Sequence, residues 1–194
     1  MDVTAFRNRV RGILMQPDAT FKSDGQPAPP WNVVAREHVF PLIIGSTVVS
    51  SLMQLVFLPA TVSPFGIMLL IIALRLVTNV VLVFAMAYVA ARLSAAWGGR
   101  GDLDGGFVLI GLATTPMFLA EAVAPFPALG WLLVIAAFVY TFVLVFRGSP
   151  ICLGIPDERR GLMVLALIGV NLLAGTILIA LLGGIFGVDA QMPS

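Results

Sequence analysis

From Gly161 to Gly187 the chain carries no charged side chain. As one helix at 1.5 Å per residue that stretch is about 40 Å long, more than the roughly 30 Å hydrocarbon core of a bilayer. Within lipid its backbone amides have only each other to bond to, and a helix satisfies them. Further apolar stretches precede it. Of the 194 residues 59% are apolar and 11% charged, against about a quarter charged in a soluble domain. Too few charges remain to coat a water-facing surface, so the chain is expected to be an all-α, polytopic membrane protein. A single cysteine excludes an internal disulfide, and no repeated His/Cys/Asp spacing suggests a metal site. A net charge of +1 gives no field to attract nucleic acid. No cofactor, metal or nucleic-acid partner is expected.

Five transmembrane helices are expected. Residues 1–38 hold most of the polar sequence and lack the apolar core behind a basic start that a cleaved signal peptide needs, so the first span, about Val39 to Leu58, should be retained. Phe65 to Ala96 would be about 48 Å long as one helix, too long for an upright crossing. An arginine at mid-span costs roughly 2.5–3.5 kcal/mol on insertion scales. Arg75 is therefore expected at an interface, with Leu76 to Ser94 as span two and Phe65 to Leu74 as a re-entrant or interfacial piece. The glycine-rich loop Gly98 to Gly106 precedes span three, Phe107 to Val123. Pro125, Pro127 and Gly130 reverse the chain into span four, Trp131 to Phe146, which Gly148, Pro150, Gly154 and Pro156 end. Gly161 to Gly187 is span five, and residues 188–194 are a short outer tail.

Ten of the eleven basic residues fall on one side of this arrangement, the exception being Arg75. By the positive-inside rule the amino terminus is expected in the cytoplasm and the carboxyl terminus outside. In residues 1–38, Val3, Phe6, Val10, Ile13 and Leu14 recur at helical spacing while Arg7, Arg9 and Arg11 project elsewhere. This reads as an amphipathic cytoplasmic helix in the headgroup layer, which either anchors or docks a cytosolic protein.

The candidate intramembrane polar residues are Arg75, Glu121, Asn79 and Asn171. Arg75 and Glu121 fall near one depth, where they either pair or snorkel separately. Counted from their expected span ends, Asn79 and Asn171 lie at different depths and should not pair directly. Pro116 cannot donate to Leu112 and should kink span three, as a static bend or a candidate hinge. Ser46, Thr47, Ser50, Ser51 and Gln54 give span one a small polar face suited to close helix packing. Asp102-Leu103-Asp104-Gly105 reads as a solvated turn, His38 as an interfacial side chain, and Cys152 as a thiol in a loop beside the membrane. No nucleophile turn, zinc motif or phosphate loop is present, and no catalytic residue is expected.

Several segments together resemble the bacterial branch of the Yip1 domain family. They are Arg11-Gly12-Ile13-Leu14-Met15-Gln16-Pro17-Asp18-Ala19-Thr20-Phe21, Val39-Phe40-Pro41-Leu42, Gly98-Gly99, Gly111 to Ala120, Pro127 to Leu132, Tyr140, Gly148-Ser149-Pro150 and Gly154 to Glu158. The resemblance implies a five-span protein with a cytoplasmic amino terminus. Eukaryotic members associate with Rab-type GTPases, but their Asp-Leu-Tyr-Gly-Pro motif is absent. Of their Gly-Tyr-x-x-x-Pro motif, Gly111 and Pro116 stand with Leu112 at the tyrosine position.

The expected function is that of a non-enzymatic protein of the bacterial inner membrane that organises lipid or partner proteins, alone or as a homo-oligomer. Its contact surface would be formed by Phe6, Arg7, Arg9, Arg11, Arg159 and Arg160. The alternative is a small transporter, channel subunit or lipid translocator. A continuous wet path through Arg75, Glu121 and Asn171 would favour transport, and a packed interior would favour scaffolding.

Overall fold

The computed structural model describes residues 3–57, 65–126 and 128–186. The expected end of span one at Leu58, Pro127 in the reversal, Gly187 and the outer tail lie outside them. Among the described residues there are helices and no strands. Five helices are long and apolar enough to cross a membrane: Trp31–Gln54, Leu69–Ala96, Leu103–Val123, Leu129–Leu153 and Asp157–Ile177.

Two short helices lead in. α1 (Val3–Met15) is followed by α2 (Pro17–Gly25), which starts on Pro17, a residue suited to a first turn whose N–H needs no partner. Arg9 Nε and Asp24 Oδ2, 2.8 Å apart, clasp the two helices. Phe6 and Val10 pack against the core and Ile13 is fully buried, whereas Val3, Leu14 and Met15 stay exposed. Part of the apolar side expected to face lipid is thus used against protein.

The first span begins earlier than hydropathy suggests. α3 (Trp31–Val34) runs through a π-helical turn, Ala35–Val39, into α4 (Phe40–Phe57). There the Phe40 N–H bonds to the Ala35 carbonyl, five residues back. Pro41 explains the widening, because it cannot donate and its ring presses on the carbonyl four residues earlier.

α5 (Phe65–Ala96) is continuous. The expected break at Arg75, with a separate piece from Phe65 to Leu74, does not occur, because polar neighbours accept the guanidinium inside the bundle. α6 (Leu103–Ala113) starts in the glycine-rich segment, where Asp102 caps it by accepting from the Gly105 N–H. The turn expected to be solvated is therefore a helix start. The chain breaks at Thr114 and resumes as α7 (Thr115–Val123), with Pro116 in its first turn. The Thr114 hydroxyl donates to the Ile110 carbonyl at 2.8 Å.

α8 (Leu129–Leu153) passes through Gly148 and Pro150, where the sequence suggested an end, and stops at Gly154 in the left-handed conformation (φ 65°). Pro150 cannot bond the Phe146 carbonyl, but the Ser149 hydroxyl does so at 3.2 Å. After a 3₁₀ turn at Asp157–Arg159, α9 (Arg160–Phe186) follows.

The third span is central. α6 and α7 between them pack on α4, α5 and α8, and α9 closes against α5 and α8. Every residue from Gly105 to Ala113 is buried. Gly106 permits a close approach to α5: a Cβ there would lie 2.6 Å from the Ala87 carbonyl oxygen. The outer helices expose Ile44, Val48, Leu52, Val77, Val81, Ile135, Val139, Leu165 and Leu172, a surface suited to lipid. α2 packs on α8 and α6 beside the Gly154 turn. This end, which carries most of the arginines, is called the basic end below.

Candidate functional site

Arg75 and Asn79 stand four residues apart on α5 and so share a face. Glu121 of α7 meets both. Arg75 Nη2 lies 3.5 Å from Glu121 Oε2, and Asn79 Nδ2 donates to the same oxygen at 3.4 Å. Arg75 Nη1 donates to Ser50 Oγ of α4 at 3.0 Å. The Arg75 and Glu121 side chains are 29% and 18% exposed. Mutual neutralisation and these bonds let both charges stand within a span. Of the two arrangements the sequence left open, the pair is the one observed.

Two cavities meet at this pair, and Met117 and Glu121 line both. One, about 200 Å³, lies among α5, α7, α8 and α9 and also takes in Asn79, Thr114, Thr141 and Asn171, with Phe118, Phe138 and Phe142 as walls. The other, about 450 Å³, opens toward Trp131 and is lined by Ser50, Gln54 and Arg75. Asn79 and Asn171 thus share a chamber without bonding to each other. The sequence set them at different depths because it broke the second span at Arg75, whereas α5 runs unbroken past that arginine and brings Asn79 to the same chamber as Asn171. Pro116 is buried at the start of α7 and does not line the chamber.

Toward the basic end the interior is packed. Val108, Leu109, Leu112 and Leu144 are fully buried. His38 is also fully buried, not interfacial, and its Nε2 lies 2.9 Å from Thr115 Oγ1. The π-helical turn directs this histidine inward, which simple counting from a span end does not reveal.

At the basic end, Lys22 of α2, Arg147 of α8 and Arg160 of α9 line a groove of about 450 Å³ with Asp18, Val143, Phe146, Pro150 and Ile151. Arg160 pairs with Asp157, and its guanidinium carbon stands 5.8 Å from the centre of the Phe146 ring. Arg159, Arg7 and Arg11 are exposed, while Arg9 is held by Asp24. Gln26 and Arg100 both donate to the Ile151 carbonyl, and Tyr140 donates to the Leu14 carbonyl at 3.1 Å. Cys152 is not in a loop. It sits fully buried in the last turn of α8 beneath Gly25. Among the described residues no three His, Cys, Asp or Glu side chains gather as metal ligands would.

Compared with known families, the Yip1 domain matches residues 11–179. The chain belongs to the Yip1 domain family. No curated protein and no solved structure matches it. The Yip1 match starts within α1 and takes in all five candidate spans, the Arg75–Glu121 pair and the groove at the basic end. Inside this Yip1 domain, His38–Thr115 and Thr141 escaped sequence reasoning. The i, i+4 spacing of Arg75 and Asn79 was the available sign of a shared polar face.

Proposed function

We propose that this multi-pass Yip1 domain protein acts in a bacterial cytoplasmic membrane, without catalysis, by gathering anionic lipid at its basic end. The observation that carries this reading is the groove of Lys22, Arg147 and Arg160 against Val143, Phe146 and Ile151. Three cations against the single lining carboxylate of Asp18 leave the groove net positive beside an apolar wall, which suits a phosphate headgroup whose acyl chains run along α8. Exposed Arg7 and Arg11 on α1 extend the positive surface. Placing this end in the cytoplasm follows from the same basic residues, and anionic lipid there supplies the matching charge. The packed layer of Leu109, Leu112 and Leu144 supports an organising role over passage of solute.

The test is to extract the protein from its own membrane in native nanodiscs and identify what copurifies. Anionic phospholipid should be enriched over the bulk membrane and return to bulk level in Lys22→Gln/Arg147→Gln/Arg160→Gln. A stoichiometric protein that leaves on substitution of Arg7, Arg9 and Arg11, with no lipid enrichment, would replace lipid by protein as the partner.

A further inference from the structure

The chamber beside Glu121 holds a buried group without a partner. Thr141 is 5% exposed and lines the cavity, and its hydroxyl has no hydrogen-bond partner among the described residues. A hydroxyl left in that state is destabilising unless something in the cavity bonds to it. The remaining polar groups show what that occupant must offer. The Thr114 hydroxyl has spent its proton on Ile110, so its oxygen faces the chamber only as an acceptor. Asn79 points an N–H at Glu121, as a carboxylate requires, which leaves its carbonyl oxygen to accept. Ionised Glu121 only accepts, and Arg75, its counter-charge, lines the neighbouring cavity and not this one.

Even with the remaining N–H groups of Asn79 and Asn171 and the Thr141 hydroxyl counted as donors, the oxygens of Glu121, Asn79, Asn171, Thr114 and Thr141 give the chamber more acceptor capacity than donor capacity, and it carries the negative member of the ion pair. Its walls add Phe118, Phe138 and Phe142, whose faces attract cations. At about 200 Å³ it is larger than the engineered cavity of about 150 Å³ that takes up benzene. From this combination we infer that the chamber is a binding site for a primary ammonium group, with Glu121 supplying charge and Thr141, Asn79 and Asn171 accepting its N–H bonds. A free small amine and the ethanolamine headgroup of a phospholipid share that chemistry. The site is independent of the groove at the basic end.

The test is thermal unfolding of the full chain with ethanolammonium chloride, with ethylene glycol as the neutral isostere and sodium chloride as the salt control. At ten times its dissociation constant the amine should raise the midpoint by about 3 °C, and the controls should not. Thr141→Val and Asn171→Leu should each lose most of that shift. Thr141→Val keeps the side-chain shape and removes the unpartnered hydroxyl, so it should fold at least as stably as the parent. A second arm compares nanodiscs of phosphatidylethanolamine with those of its trimethylated counterpart, phosphatidylcholine. A shift with free ethanolammonium assigns a soluble amine. A shift only in phosphatidylethanolamine, lost in both variants, assigns the lipid headgroup. Equal shifts with ethylene glycol, no shift from either amine source, or shifts undiminished in both variants would overturn the proposal.

Discussion

His38 Nε2 and Thr115 Oγ1 stand 2.9 Å apart in the buried interior, joining the π-helical turn of the first span to the break in the third. Each irregularity faces the other, and the bond is made where both backbones depart from the regular helix. His38→Ala should lower stability by about 2–4 kcal/mol, since it opens a cavity and strands the threonine hydroxyl. Thr115→Val should cost about 1 kcal/mol. Unfolding midpoints in detergent, ranked parent, Thr115→Val, His38→Ala, would bear this out.

The ion pair of Arg75 and Glu121 should show coupling. Removing either partner leaves a half-buried charge, so Arg75→Met and Glu121→Gln should each destabilise by about 1–2 kcal/mol. The double variant should lose about 1 kcal/mol less than the sum of the two. A double-mutant cycle on unfolding free energy reads this directly, and additive losses would mean that the pair contributes nothing.

Close packing of the central span makes glycines unequal. Gly106→Ala places a methyl 2.6 Å from the Ala87 carbonyl oxygen and should cost about 1–3 kcal/mol as α5 and α6 are forced apart. A Cβ on Gly169 meets nothing within 4 Å, so Gly169→Ala should be neutral or slightly stabilising by the helix preference for alanine. Heat stability of the two variants, measured side by side, separates packing from propensity.

Cys152 is fully buried, with a Cβ at Gly25 falling 3.0 Å from its sulfur. N-ethylmaleimide should leave the folded protein unlabelled over minutes and modify it on denaturation. Mass spectrometry of the intact chain before and after unfolding checks this. Rapid labelling of the folded form would show that α2 does not stay docked.

Hydropathy made the five spans legible because apolar runs of this length have few other uses. Their ends were less legible, because several helices continue past the apolar run into polar protein packing. α6 starts at Leu103 and runs through Gly105-Gly106, which read as a loop although Gly106 packs closely on Ala87, and α8 passes Pro150 because Ser149 takes over the vacated carbonyl. Arg75 misled for a physical reason: the insertion cost applies to an arginine facing lipid, whereas this one faces Ser50 and Glu121. Of the groove's three cations only Arg160 belonged to the contact surface expected from the sequence, with Lys22 and Arg147 outside it. Their convergence was not legible, since Lys22, Arg147 and Arg160 come from three separate helices.

The central claim is that the basic end holds anionic lipid. Native mass spectrometry of the protein released from nanodiscs of mixed phosphatidylglycerol and phosphatidylcholine counts the lipids that stay bound. Phosphatidylglycerol should be retained in preference to phosphatidylcholine by the parent, and at least fivefold less by Lys22→Gln/Arg147→Gln/Arg160→Gln, while phosphatidylcholine is unchanged. Equal retention of phosphatidylglycerol by parent and variant would contradict the account.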